Sequence, residues 1–334
     1  LHDALPIWGG NIEIVSDNGS VNTTLGNLSG EPQIAPNADV STEEVATTFE
    51  TEPANLSSYA PEGIGGRVSI EARSNVTTSH ISSFGGEDSG DVRITAGGNI
   101  DTGVLFSTAI EGIGGEIDIV SSGDGVAIEH VAAYSQNGSG GEIEIGASGN
   151  VEVNNVASFG PQQSGDVTII SDGGSITTGT IQTRAPNGTS GNITLNTFSV
   201  LGDIRTANVT TAGGQAAGEV QILAADGSVT TENLESSSTG GTAGGIDVQA
   251  GGGDVQTGDQ TVNAAEGDAN INVGASGDIS TGNQTATTND GNASINNVAG
   301  GDITTGDQIA TADGGDASIN NVAGGDITTG DQIA

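Results

Sequence analysis

The sequence predicts an all-β fold: a right-handed parallel β-helix (solenoid) of about 13 turns of ~24 residues, with three short strands per turn. Two observations predict it. Residues Ser318–Ala334 (SINNVAGGDITTGDQIA) repeat Ser294–Ala310 letter for letter, a period of 24 residues. A fixed period of that size marks units that cannot bury an apolar face alone and must stack on their neighbours. Within each unit, apolar and polar residues alternate in two separate short runs, the period-two signature of half-buried strands.

The first run opens on Gly, one variable residue, then alternating Ile or Val, as in Gly90-Asp91-Val92-Arg93-Ile94 and Gly141-Glu142-Ile143-Glu144-Ile145. With Gly10, Gly30, Gly66, Gly115, Gly165, Gly191, Gly218, Gly245, Gly267, Gly291 and Gly315 there are 13 such starts. In the turn from Gly30, Pro32 takes the first apolar position and weakens that strand, because proline cannot donate to a ladder. That turn is also long, and its extra length, Thr51 to Gly65, reads as a loop thrown out of one corner. From Gly267 onward Ala269, Ala293 and Ala317 stand where the first Ile is expected, which narrows the coil.

The second run is an apolar residue followed two places later by Thr. Its apolar members are Val21, Val40, Val76, Ile100, Val126, Val151, Ile176, Ile204, Val229, Val255, Ile279, Ile303 and Ile327, and the second member is Thr in 11 of these 13 turns. The exceptions, Ile128 and Val153, are branched apolar look-alikes, so this face points inward. The residues between, from Arg205 to Glu152, vary as water permits and point outward. A third, weaker run such as Ile81-Ser82-Ser83-Phe84 or Val156-Ala157-Ser158-Phe159 leads into a Gly-rich corner.

Residues 1–9 fit no repeat and are set aside as a lead-in whose native status the sequence leaves open; residues 10–334 read as one β-helix domain, a piece of a longer chain. Hydrophobic content is 33% and net charge −38, which lean towards disorder. The strict placement of the β-branched residues argues for a folded chain. The 57 Gly and abundant Asn, Asp and Ser serve the corners. Cysteine and lysine are absent, which excludes disulfides and thiolate metal sites. So acidic a chain, with five Arg and no basic stripe, argues against nucleic acid and anionic membranes as partners. No apolar run approaches the ~20 residues of a spanning helix.

Repeats such as SGDVRITAGGNIDTG, GGEIDIVSSGDGVAI, GGEIEIGASGNVEVNNVASFG and SGDVTIISDGGSITTG resemble the haemagglutinin-type repeats of bacterial filamentous haemagglutinin-like proteins, the large exoproteins of two-partner secretion systems. The resemblance covers about residues 10 to 334 and is one of repeat style, shared with other secreted β-helices. It implies the shaft of a secreted or surface-exposed adhesin, an outer-membrane secretion partner, and host-cell, biofilm or glycan ligands. It carries over no catalytic, cofactor or metal residue, and the expectation is a non-enzymatic chain.

Candidate chemistry lies in columns that stacking creates. One, after the anchor Gly, holds Asp91, Glu116, Glu142, Asp166, Asn192 and Glu219; a second, before the second strand, includes Asn75, Asn99, Asp124, Asn150, Ser175, Asp203, Ser228, Asp254, Asp278, Asp302 and Asp326; a third holds Asp259, Asn283, Asp307 and Asp331. Such columns suit Ca²⁺, which takes 6–8 oxygens, but they equally suit corners through local turn hydrogen bonds, which is the stronger reading. Paired carboxylates also raise a polysaccharide hydrolase or lyase, the alternative function, although no pair is singled out by sequence. Arg67, Arg73 and Arg93 read as surface arginines relieving acidic repulsion. His80 and His130 occupy equivalent positions two turns apart, too far to share a metal. Aromatics recur near the end of the third run at Phe84, Tyr134 and Phe159; they read first as corner packing and second, together with Tyr59, as a sugar-stacking patch.

Overall fold

The computed structural model describes residues 7–8, 11–16, 21–22 and 55–334. Every strand pairing in it is parallel and in register, and among the described residues there is no helix, so none that could cross a membrane. The first run forms a 12-stranded sheet, and the second and third runs share a 20-stranded one. Equivalent residues from Val68 to Ile319 lie 24 to 27 apart, and the solenoid has about 11 turns. At ~4.8 Å per rung these span roughly 50 Å.

The inward columns stack like on like. Val92, Ile117, Ile143 and Val167 pair in succession and are fully buried. Val76, Ile100, Val126, Val151 and Ile176 line the opposite wall equally buried. The Thr column has the predicted parity: Thr102, Thr178, Thr206, Thr231, Thr257, Thr281 and Thr305 are buried, whereas Thr304 is exposed. Thr329, in the last rung, is half-buried.

The corner between the two sheets explains the anchor glycines. An added Cβ at Gly141 would land within the backbone of Gly114 and Gly115, and one at Gly165 within that of Gly141. A buried hydroxyl clamps successive anchors together: Ser158 Oγ donates to the Gly141 carbonyl and accepts from the Gly165 N–H, both at 2.8 Å. Ser83 does the same between Gly66 and Gly90.

Register corrects five expectations. Ile12–Ser16 pairs directly with Val68–Ala72, and Val21 with Val76, so no rung lies between them where Gly30 to Val40 was expected to supply one. Asn22 aligns with Thr77 and Asn55 with His80, two points that Thr78 and Ser79 alone separate in the next turn. The predicted strand at Pro32 and the apolar Val40 lie outside the described residues. Within the expected loop 51–65, Asn55–Ala60 is a strand paired with the third run of the following turn, because its Leu56 and Ser58 keep the inward parity. Residues 51–54 lie outside the described residues.

The remaining corrections concern the lead-in, the strand count and the alanines. Ile7–Trp8, placed in the lead-in, pairs with Ser58–Tyr59 and so occupies a third-run position. Between Val76 and Ala185 the second and third runs fuse into single strands of 9 or 10 residues, and they are separate strands again from Ile204 onward. The fused strands carry two consecutive outward residues, such as Ser79 and His80, which bend the strand without breaking it. In the later turns Asn208, Asn233, Asp259 and Asn283 accept the backbone N–H of the next turn at the same place and sharpen the bend. Finally, Ile246 pairs with Ile271, so Ala269 is an extra inward residue and replaces no Ile.

An unexpected polar core fills the C-terminal turns. The column Leu56, Ile81, Leu105, Val131, Val156, Ile181, Val209 and Leu234 continues as Gln260, Gln284 and Gln308, all three fully buried. Gln284 Nε2 donates to Gln260 Oε1 at 2.6 Å and to Asn297 Oδ1 at 3.0 Å. Its Oε1 accepts from Gln308 Nε2 at 2.7 Å and from Asn297 Nδ2 at 2.8 Å. Each amide therefore satisfies its neighbours one turn away, as burial requires.

Two stability outcomes follow from these contacts. Gln284→Leu leaves several buried amides unpaired and is expected to destabilise by about 2 kcal/mol or more, read from urea midpoints. The Thr column divides more finely: Thr281 Oγ1 donates to the Gly282 carbonyl at 3.1 Å, whereas the hydroxyls of Thr78, Thr102 and Thr178 have no partner. Thr178→Val, which copies Val153 beneath it, is expected to be neutral or stabilising, and Thr281→Val to cost about 0.5–1.5 kcal/mol.

Candidate functional surface

The acidic columns are corner ladders. In the second, Asp278 N donates to Asp254 Oδ1, Asp302 N to Asp278 Oδ1 and Asp326 N to Asp302 Oδ1, each at 2.8 Å. Asn75, Asn99 and Asn150 serve earlier turns in the same way. The third column repeats the pattern at Asp259, Asn283 and Asp307, and extends backwards to Asn233 and Asn208. Each carboxylate or amide oxygen thus caps the backbone of the next turn, the role that Asx residues play at bends. Among the described residues no group of three or more His, Asp or Glu is placed to hold a metal. A shallow concavity of about 420 Å³ bordered by Asn75, Asn99, Asp101, Asp124, Asn150 and Glu152 is the outer side of one such corner.

The first column differs where it contains Glu. Asp91 and Asp166 cap Glu116 N and Asn192 N. Glu142 is exposed, and the partial desolvation of its carboxyl where it meets the rod, followed by repulsion from Asp166, Glu116 and Glu144, raises it above the ordinary glutamate range. The arginines answer this charge across turns: Arg67 reaches Asp91 at 3.5 Å and Arg93 reaches Asp118 at 3.3 Å, while Arg205 pairs with Asp203 of its own turn at 2.8 Å. These exposed pairs contribute little to stability. Arg73 is exposed.

In the N-terminal turns the outward face of the third run is largely aromatic. Backbone register places Trp8, Tyr59, Phe84, Thr108, Tyr134, Phe159 and Arg184 in one column. Tyr59 and Phe84 stack with centroids 4.9 Å apart at 20°, and Tyr134 and Phe159 at 5.1 Å and 11°. Tyr59 and Tyr134 are each 37% exposed, so the rings form a surface ladder. Thr108 interrupts it. Phe106, on the same strand as Thr108, turns to an edge contact with His80 at 5.8 Å, and burial lowers the His80 pKa. His80 and His130 are separated by Val104 in their column, and His130 Nδ1 is 3.1 Å from Asn155 Nδ2. The sequence shows the recurrence of Phe84, Tyr134 and Phe159, but the interruption at Thr108 and the part of Phe106 emerge only from register.

No family model, curated protein or solved structure matches this chain.

The charge of Glu142 gives a pH-dependent outcome. A carboxyl whose folded pKa is raised is bound to its proton more tightly in the folded state, so its unfavourable contribution is absent below the unfolded value of 4.5 and grows as pH rises through the folded value. Glu142→Gln is expected to raise the thermal midpoint at pH 7, with the gain shrinking in high salt and vanishing below pH 4.5.

Proposed function

We propose that the chain is a section of the shaft of a secreted or surface-exposed bacterial adhesin, of the filamentous haemagglutinin-like kind exported by two-partner secretion. Its work is structural: it holds contact elements on a stiff rod that meets host-cell, biofilm or glycan ligands. The observation that carries this reading is the use made of the polar side chains. Turn after turn, the Asp and Asn residues that an enzyme would need are tied to the backbone of the next turn. The elements that depart from the repeat are the extra length of sequence between Asn22 and Asn55 and the aromatic column of the third run.

A polysaccharide-active β-helix is the second reading, and Glu142 is the observation that favours it. A carboxyl with a raised pKa flanked by Glu116 and Asp166 one turn to either side is the arrangement from which a general acid and its partner are made.

One experiment separates the two. The chain and a variant in which residues 23–54 are trimmed to a two-residue link would be coated on beads and offered to cells and to neutral and acidic polysaccharides. The shaft reading expects intact strand circular dichroism in both, weaker adhesion by the trimmed form, and no release of reducing or unsaturated sugars. Sugar release abolished by Glu142→Gln would place the chain among the enzymes.

A further inference from the structure

The aromatic column carries a vacancy with definite dimensions. Tyr59 and Phe84 form one stacked pair, Tyr134 and Phe159 another, and the rung between belongs to Thr108, whose side chain is too short to supply a ring. Among the described residues no ring contact joins Phe84 to Tyr134. Paired rings here repeat at 4.9 and 5.1 Å, so a flat group seated over Thr108 stands about 5 Å from both ring centroids, inside the range of aromatic stacking and cation–π attraction.

The surroundings decide which flat group. Phe106, 36% exposed, lies two residues before Thr108 on the same outward face and offers apolar surface at one mouth of the gap. Three residues beyond Thr108 the corner holds the exposed Glu111, with Glu87 at the matching place one turn earlier. Glu111 Oε1 is held at that corner by Asn137 Nδ2 at 3.0 Å. The chain as a whole carries a net charge of −38. Apolar surface, two π-faces and carboxylates follow one another along the strand. A guanidinium combines the two properties that such a place selects: a plane that stacks between rings and a positive charge that the nearby carboxylates attract. An anionic ligand is repelled, and a lysine ammonium has no plane to place between the rings.

We propose that the gap over Thr108 is a binding slot for one arginine guanidinium, presented by a basic segment of a partner protein and sandwiched between Phe84 and Tyr134. The slot does not depend on the shaft reading and would operate on an enzyme equally well.

The probe is a blocked Gly-Arg-Gly peptide at low salt, with Gly-Lys-Gly, its neutral citrulline counterpart and a neutral glucan oligosaccharide for comparison. The readout is the ring resonances of Phe84 and Tyr134 in the full chain. The arginine peptide is expected to shift both rings and to bind about tenfold more tightly than the lysine peptide. Thr108→Tyr, which supplies the missing rung without changing charge, is expected to abolish the shifts and to raise the thermal midpoint. Phe84→Leu and Tyr134→Leu keep apolar packing, remove one π-face each, and are expected to weaken binding several-fold. Equal binding of arginine and lysine peptides, or binding unchanged in Thr108→Tyr and the Leu variants, would reduce the effect to the general negative field and overturn the proposal. Ring shifts caused by the oligosaccharide and not by the arginine peptide would overturn it in favour of a sugar site.

Discussion

Everything in this molecule depends on the parallel backbone ladder that sets one rung on the next without slip. Side chains in a strand alternate faces, so a shift of one residue would turn every buried Ile outward and every Asp inward. The glycine corner holds that register from the other direction. With Gly90, Gly115, Gly141 and Gly165 packed backbone to backbone, and hydroxyls of Ser83 and Ser158 bridging successive anchors, a rung cannot slide or lift without losing contacts at both ends. Like then stands on like: Ile on Ile in the core, Asx on Asx at the corners, ring on ring outside. A repeat protein gains most of its stability from such nearest-neighbour contacts.

The same logic explains what the sequence reveals. Columns whose members are chemically uniform, such as Val92 to Val167 or the Thr series, are readable because one inward position tolerates few residue types. Their parity and burial follow directly from the alternation. The 23–54 stretch is misleading for a physical reason: Gly30-Glu31-Pro32-Gln33-Ile34 and Val40 have the composition of a rung, but composition does not set pairing. Val21 finds Val76 as its partner. Ala269 misleads similarly, since spacing between glycines does not say where a turn places its two residues of slack, whereas pairing of Ile246 with Ile271 does. The column of Asn and Asp that caps the third corner was visible from Asp259 onward; its earlier members Asn208 and Asn233 sit in turns of unequal length and needed register to be aligned.

The buried amides of Gln260, Gln284, Gln308 and Asn297 escaped sequence reasoning because Gln and Asn ordinarily signal exposure. What permits them here is repetition. A lone buried amide needs partners designed around it, but an amide with a copy of itself one turn away has a donor above and an acceptor below at rung distance, and Asn297 closes the set sideways. The core thereby passes from aliphatic to polar along one chain without an unsatisfied amide among these four residues. The consequence is a difference in kind between the two halves: aliphatic rungs tolerate exchange of one branched residue for another, as Ile128 and Val153 in the Thr column show, whereas amide rungs are coupled through directional bonds and resist change one residue at a time.

Charge follows from the same stacking. Carboxylates one rung apart repel by about 1 kcal/mol in water, and a ladder of them would open the corner if nothing else held it. The Asp ladders avoid this because each carboxylate accepts a backbone N–H of the next turn, a bond strengthened by the very charge that causes the repulsion. Glu, one methylene longer, does not make that bond in the first column, and there desolvation, with repulsion from Asp166, Glu116 and Glu144 added to it, raises the pKa of Glu142. The repeat thus keeps a strongly negative surface at little structural cost where it uses Asp and Asn, and concentrates the unrelieved part where it uses Glu. A rod of this kind projects a long negative field, and carboxylates outside the ladders, among them Glu87 and Glu111 at the corner that follows the interrupted aromatic column, add to it without capping the next turn.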